Sequence, residues 1–549
     1  MGINIYLDIS RSVTKKEWAD VYQETVQLIE HFPLAESRKI DIHGVKTVCL
    51  VKTQDREIDF GRVRRYGWAA DGDMKYMKTA EEYFLPRDLI SDESFDPGAG
   101  DAILGALSAY LDYDAYEAYL ANVYEIWGAK TQAEPYHIHL LAAACLIESR
   151  LGRKAFIYGD ITRGQCRKAV EIANEYLEDP IEMPDRCYED RLFKRVEALD
   201  LTDTEKVKVF EQFFMGTKDA AFGDFLRRSY SEENLAAYWK DKFKFPVGTV
   251  GFDSKVSDYL LWGFDIEKLC SYVNFKDKDG NMLYEQFVTR IMDAKLHLKD
   301  KNCVDHLKID PEEERPYSIW TLFAQVGFAG ARNKKVDRYV PIEDIRAALK
   351  KGLSGKFDAD PVIDAYLEKE SRQTAIDLRD KEEVTEEDIK AAVDQDAAEV
   401  FDQFMEGKRE SLKETYEKYD INDYDILQFY EDGDSIYPEL AESVGKSRKF
   451  LDTLLDESHY KELAGKSAKE KLEWLAATNQ YIMIRESDWE KVYQNLAEDP
   501  DSFARYYPLM RARAGSDSLN DMLRALMIND EFYRYSKQLA DNLSDESET

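Results

Sequence analysis

Cysteine, glycine and proline are all scarce in this chain of 549 residues. The six cysteines (Cys49, Cys145, Cys166, Cys187, Cys270 and Cys303) form no CxxC pair, which excludes a dense disulfide scaffold. A reducing, cytoplasmic setting is the expectation. With 27 glycines and 14 prolines, collagen-like and Pro-rich linker architectures are excluded, and long helices are favoured over many turns. Positive charge is short as well: 75 Lys and Arg face 109 Asp and Glu, a formal net charge of −34. Such a surface opposes nucleic acid phosphates and anionic lipid, so neither a membrane nor direct nucleic-acid binding is expected. The longest apolar run, 138–147, is interrupted by His139 and is too short for a bilayer, which requires about 20 residues. Residues 1–10 lack the basic and apolar regions of a signal peptide. Also missing are H-E-x-x-H, G-x-S-x-G, the kinase set, G-x-G-x-x-G and Walker A, which weighs against an enzyme without excluding one.

Helix and a small α/β start are what the chain does have. Ile3, Ile5, Leu7 and Ile9 alternate with polar or small residues, as in a half-buried strand. Thr14 and Glu17 form a capping box ahead of Trp18, Val21, Tyr22, Ile29 and Phe32 at helical spacing, and Pro33 ends that helix. Strands at 39–42 and 45–52 flank His43-Gly44, and 58–66 offers another, giving the order β-α-β-β-β over 1–95. Helices are expected at 101–112, 116–127 and 136–151, with a buried strand at 154–159 running into a helix at 165–177. Thr202 with Glu205, Thr385 with Asp388, Ser467 with Glu470 and Ser487 with Glu490 mark further helix starts. An aromatic-rich helix is expected at 318–331. The fold class is therefore mainly α and multi-domain. It divides into a small α/β domain at 1–95, a helical domain at 96–245 with a strand–helix unit at 154–177, a helical domain at 246–350, and an acidic helical region at 351–549 with a frayed tail.

The densest chemistry lies in 134–167. A strand running into a helix aims the first helical N–H groups at one point, which favours an anion. Arg163 and Arg167 stand one helical turn apart, and Asp160 ends the strand, so Asp160, Arg163 and Arg167 form a tentative anion site. The bland alternative has Asp160 or Thr162 capping the helix while the arginines pair with acids such as Glu171. His137 and His139, two residues apart on a helix, point away from each other and cannot share a metal. Cys166 stands near a helix start, where a thiol pKa can fall, but no activating base is identifiable. Cys145, Cys166 and Cys187 repeat at 21 residues, a spacing that no disulfide or metal rule requires. The Asp277-Lys278-Asp279-Gly280 run lacks the first and last acids of a calcium loop and reads as a turn. No metal and no cofactor are expected. Basic clusters occur only at Arg62, Arg64 and Arg65, and at Arg332, Lys334, Lys335 and Arg338.

Between 351 and 450 there are 28 Asp and Glu against 14 Lys and Arg, a net negative charge per residue more than twice that of the whole chain. Interleaved aromatics include Phe401, Phe404, Tyr416, Tyr419, Tyr424, Phe429 and Tyr430. The favoured reading is a soluble cytoplasmic interaction or regulatory protein whose acidic helical surfaces bind a protein partner with a basic surface. The alternative is an enzyme or receptor for a small anionic ligand in 134–167. A third is an acidic inhibitor or nucleic-acid mimic.

Overall fold

The computed structural model describes residues 3–89, 100–107, 123–299, 310–314, 336–377, 425–434, 436–512 and 517–545. The expected helix at 318–331, the Thr385 cap, Cys303, Arg332, Lys334, Lys335 and the aromatics from Phe401 to Tyr424 lie outside them. Among the described residues the protein is mainly α-helical, with two small antiparallel sheets. No helix there is long and apolar enough to cross a membrane.

The strands are β1 (Ile5–Ser10), β2 (Leu34–Ile42), β3 (Val45–Lys52), β4 (Arg56–Asp59), β5 (Arg64–Asp73), β6 (Thr79–Pro86), β7 (Val123–Trp127) and β8 (Ala155–Gly159). Within 1–95 the described residues, 3–89, thus run β-α-β-β-β-β-β, two strands more than expected. The 58–66 run is split by a turn at Gly61, where φ is +82°, and β5 then continues through Trp68, Ala69 and Ala70, all buried. β1 does not pair with its sequence neighbours. It centres a separate sheet of order β7-β1-β8, opposite Glu125 and Phe156 at Asp8. The second sheet runs β3-β2-β5-β4, with β6 on β5. Residues 123–127, expected to end a helix, are extended because β1 supplies a pairing edge that local helix pattern does not reveal.

Local signals fare better. The Thr14–Glu17, Thr202–Glu205 and Ser467–Glu470 boxes all cap their helices, Lys15–His31, Asp203–Phe213 and Ala468–Thr478. His43 and Gly44 both adopt positive φ, 50° and 84°, as a two-residue hairpin of this twist demands. Ser487 does not cap: the Glu486–Glu498 helix starts earlier, with Arg485 at the N-cap donating its amide to the Asp488 carboxylate at 3.1 Å. The cause is tertiary. The Leu50 amide donates to the Ile484 carbonyl at 2.9 Å, so the chain arrives at Arg485 already extended alongside β3.

Three apolar cores follow. One joins β1, β8 and the helices Lys15–His31, Tyr136–Leu151 and Arg163–Asn174. A second, rich in aromatics such as Phe210, Phe222, Trp239 and Tyr259, fills the helices between 192 and 367. The third joins the opposite ends of the chain: Cys49, Leu50 and Val51 of β3 pack with Leu472, Leu475, Trp489 and Tyr507. Each core draws on both sides of at least one boundary proposed at 95, 245 or 350. Across the third core the Lys78 ammonium meets Asp521 at 2.5 Å, and Arg524 binds the same carboxylate at 3.1 Å. All three side chains are almost fully buried.

Removing one member of such a cluster leaves buried charge uncompensated. Asp521→Ala is expected to cost about 3–5 kcal/mol in urea unfolding. Lys78→Met/Asp521→Asn, which removes both charges and keeps an acceptor for Arg524, recovers most of that loss. A loss under about 1 kcal/mol for Asp521→Ala contradicts the buried assignment.

Candidate functional site

At the strand–helix junction, β8 carries three fully buried residues, Ala155, Phe156 and Ile157, and ends at Gly159. Asp160 turns back onto β1: its amide donates to the Asn4 carbonyl at 2.9 Å, and its carboxylate accepts from the Asn4 amide at 3.0 Å. Thr162 then caps the Arg163–Asn174 helix, in a box with Gln165. The helix starts two residues before the position expected from the sequence, which places both arginines in its first turns.

Arg163 and Arg167 are brought together, and both grip Glu312. Arg163 Nε donates to Glu312 Oε1 at 2.7 Å, and Arg167 Nη1 to Oε2 at 2.7 Å. Arg167 also takes Glu314 at 2.9 Å. Partial burial pushes the Glu312 carboxyl up, but the hydrogen bonds from Arg167 and Arg163 outweigh this and hold it below its ordinary value. The partners are thus acids from 310–314 rather than Glu171. Asp160 stands apart, bonded to Asn4, and its carboxyl is raised by burial.

Neighbouring groups are inert. His137 and His139 lie in the Tyr136–Leu151 helix, where burial holds both imidazoles down to about 4 and therefore neutral. His137 Nδ1 is hydrogen-bonded to Thr131 Oγ1 at 2.7 Å. Cys145, Cys166 and Cys187 meet in one core, their thiols hydrogen-bonded in series. The bond with Cys145 and burial raise the Cys166 thiol well above its ordinary value, the reverse of what a nucleophile needs. Among the described residues, no group of three His, Cys, Asp or Glu side chains is arranged to hold a metal. The 277–280 run is an Asx turn, with Asp277 accepting from the Asp279 and Asn281 amides at 2.8 Å. Arg64 lies 3.6 Å from Asp59, and Arg338 donates to the Phe264 carbonyl at 2.8 Å.

Three features were not anticipated. The first is Asp8 on β1, buried opposite the exposed Glu125, with its carboxyl pushed up to about 7 by burial, then by Glu125, against a weaker pull from Tyr158. The second is Arg195, only 1% exposed, which holds Asp101 at 2.6 Å and Glu148 at 3.5 Å. An acid at 148 directly after an apolar helical run was the available signal. The third is an open groove of about 590 Å3 lined by Gln428, Phe429, Tyr430, Glu431, Arg485, Ile528, Asn529, Asp530 and Glu531. Arg485 is held by Asp488 at 2.8 Å, and Asp530 lies between Lys491 at 3.0 Å and Arg505 at 2.5 Å. The Asn529 amide fixes the carbonyls of Gln428 and Tyr430. Among the described residues, both polar atoms of the Gln428 side chain are buried without a hydrogen-bond partner. Compared with known protein families, curated proteins and solved structures, the chain matches none.

Because the folded state raises the Asp8 carboxyl from 3.8 to about 7, it binds that proton more tightly than the unfolded chain does. The stability contributed is full below pH 3.8 and is lost as pH rises through about 7. Asp8→Asn removes this loss. Its Tm is expected to exceed that of the wild type most at pH 8, by less at pH 5, and to converge with it only as pH falls to about 3.8, as read by thermal melts across that range. Parallel curves would contradict a buried, protonated Asp8.

Proposed function

We propose that this protein is a cytoplasmic interaction or regulatory protein that binds a basic protein partner through acidic helical surfaces of its C-terminal region. The observation that carries this reading is the groove at 428–431 and 528–531. Of its charged lining residues, Arg485 is already held by Asp488 and Asp530 by Lys491 and Arg505, which leaves the acids Glu431 and Glu531 to face a partner. The adjoining 425–434 segment has four acids and no base. A basic peptide entering there finds charge of opposite sign on the rim and aromatic surface from Phe429 and Tyr430. The overall charge of −34 extends the same field beyond the groove and favours fast, salt-sensitive encounter.

A receptor or enzyme for a small anionic compound at Asp160, Arg163 and Arg167 has less support. Asp160 is engaged with Asn4, and both guanidinium groups already hold carboxylates.

The test is capture of partners by the full chain at low and high salt, beside Glu431→Lys/Glu531→Lys. Recovery of a basic protein is expected with the wild type at low salt. Its binding is expected to fall about tenfold or more on charge reversal, and again as screening increases. Recovery of no basic partner, or binding indifferent to salt and to both substitutions, contradicts the proposal.

A further inference from the structure

The 310–314 segment is held by the rest of the chain as a ligand is held. Its sequence, Asp310-Pro311-Glu312-Glu313-Glu314, is four acids and a proline. The Gly164 amide donates to the Pro311 carbonyl at 2.8 Å, and the Thr162 hydroxyl donates to the Glu313 carbonyl at 2.6 Å. Glu312 is shared by the two arginines, and Glu314 takes the outer side of Arg167. The seat is shaped for a main chain as well as for charge. A Cβ on Gly164 would lie 2.2 Å from the Glu312 carbonyl oxygen and 2.6 Å from that of Glu313. Only glycine permits that approach. A lone inorganic anion would use the guanidinium groups and leave the Thr162 and Gly164 donors unread.

Among the described residues, the contacts that hold the segment are polar and part-exposed. None of residues 310–314 belongs to the three apolar cores. The side chains of Arg163, Arg167, Glu312 and Glu314 are 31%, 37%, 38% and 45% exposed, so water and salt screen every ion pair. A seat that reads carboxylates and main-chain carbonyls together, filled through solvent-screened contacts by a piece of the same chain, can be opened by competition.

We propose that the Arg163–Arg167 seat is a docking site for an acidic peptide segment of another protein, and that 310–314 is its internal occupant, a strap that such a partner displaces. The site is separate from the acidic groove and takes a partner segment of opposite sign, so it stands or falls independently of the function proposed above. A strap closed about nine-tenths of the time hides the seat about tenfold.

The test uses the full chain and a fluorescent peptide carrying the sequence of 310–314. Three proteins are titrated: wild type, Glu312→Gln/Glu314→Gln, and the same pair combined with Arg163→Gln/Arg167→Gln. The strap-weakened protein is expected to bind the peptide about tenfold more tightly than wild type, and the arginine-free protein to lose binding. Gly164→Ala is the second check, because it keeps both guanidinium groups while blocking the main-chain approach. It is expected to release the strap, read as faster hydrogen exchange at 310–314, without tighter peptide binding. Equal affinity for wild type and strap-weakened protein, no binding to the latter, binding that survives loss of the arginines, or tight binding by Gly164→Ala each overturns the proposal.

Discussion

The edge of β3 is the constraint on which the rest depends. An open strand edge exposes unpaired amides and carbonyls, and here it is bridged at Leu50 by a segment from the far end of the chain: Leu50 donates to Ile484. The apolar residues beneath it, Cys49, Leu50 and Val51, have no complete core until Leu472, Leu475 and Trp489 arrive. The Lys78–Asp521–Arg524 cluster then joins residues 443 positions apart, and Arg524 also donates to the Met483 and Tyr76 carbonyls. Buried charge of this kind adds little net stability but is intolerant of mispairing. The N-terminal sheet and the C-terminal helices are therefore one packed unit, although most of the chain separates them.

That arrangement fixes where charge can be displayed. The C-terminal helices turn Leu440, Val444, Tyr506 and Leu526 inward, and their acids line the outer groove. The same logic in reverse operates at the strand–helix junction, where a basic pair in a strongly acidic molecule is covered by the chain's own glutamates. Between them, Arg195 and its carboxylates tie the second, aromatic core to β8 through the Ala155 carbonyl, at 2.9 Å. Charge is thus neutralised inside the fold and left unbalanced on its surface.

What was legible in the sequence was local. Three capping boxes, the His43-Gly44 turn, the alternation in β1 and the buried strand before the Arg163–Asn174 helix each depend on residues within a few positions of one another. The misses at β7 and at Arg485 involve distant partners. β7 is extended because β1 lies beside it, and Arg485 replaces Ser487 at a helix start because β3 holds the preceding residues. The anion site was legible as a pair of arginines, and its occupant was not, because nothing near 163 points to 312. The three cysteines spaced by 21 residues meet only because two helices and a short turn pack together.

Native-state hydrogen exchange in rising denaturant tests the joining of the two chain ends most directly. Amides of β3 and of the Phe503–Arg511 helix should lose protection together, at one opening free energy, because each completes the other's core. Loss of protection in the helix while β3 stays fully protected would mean that the two ends fold independently.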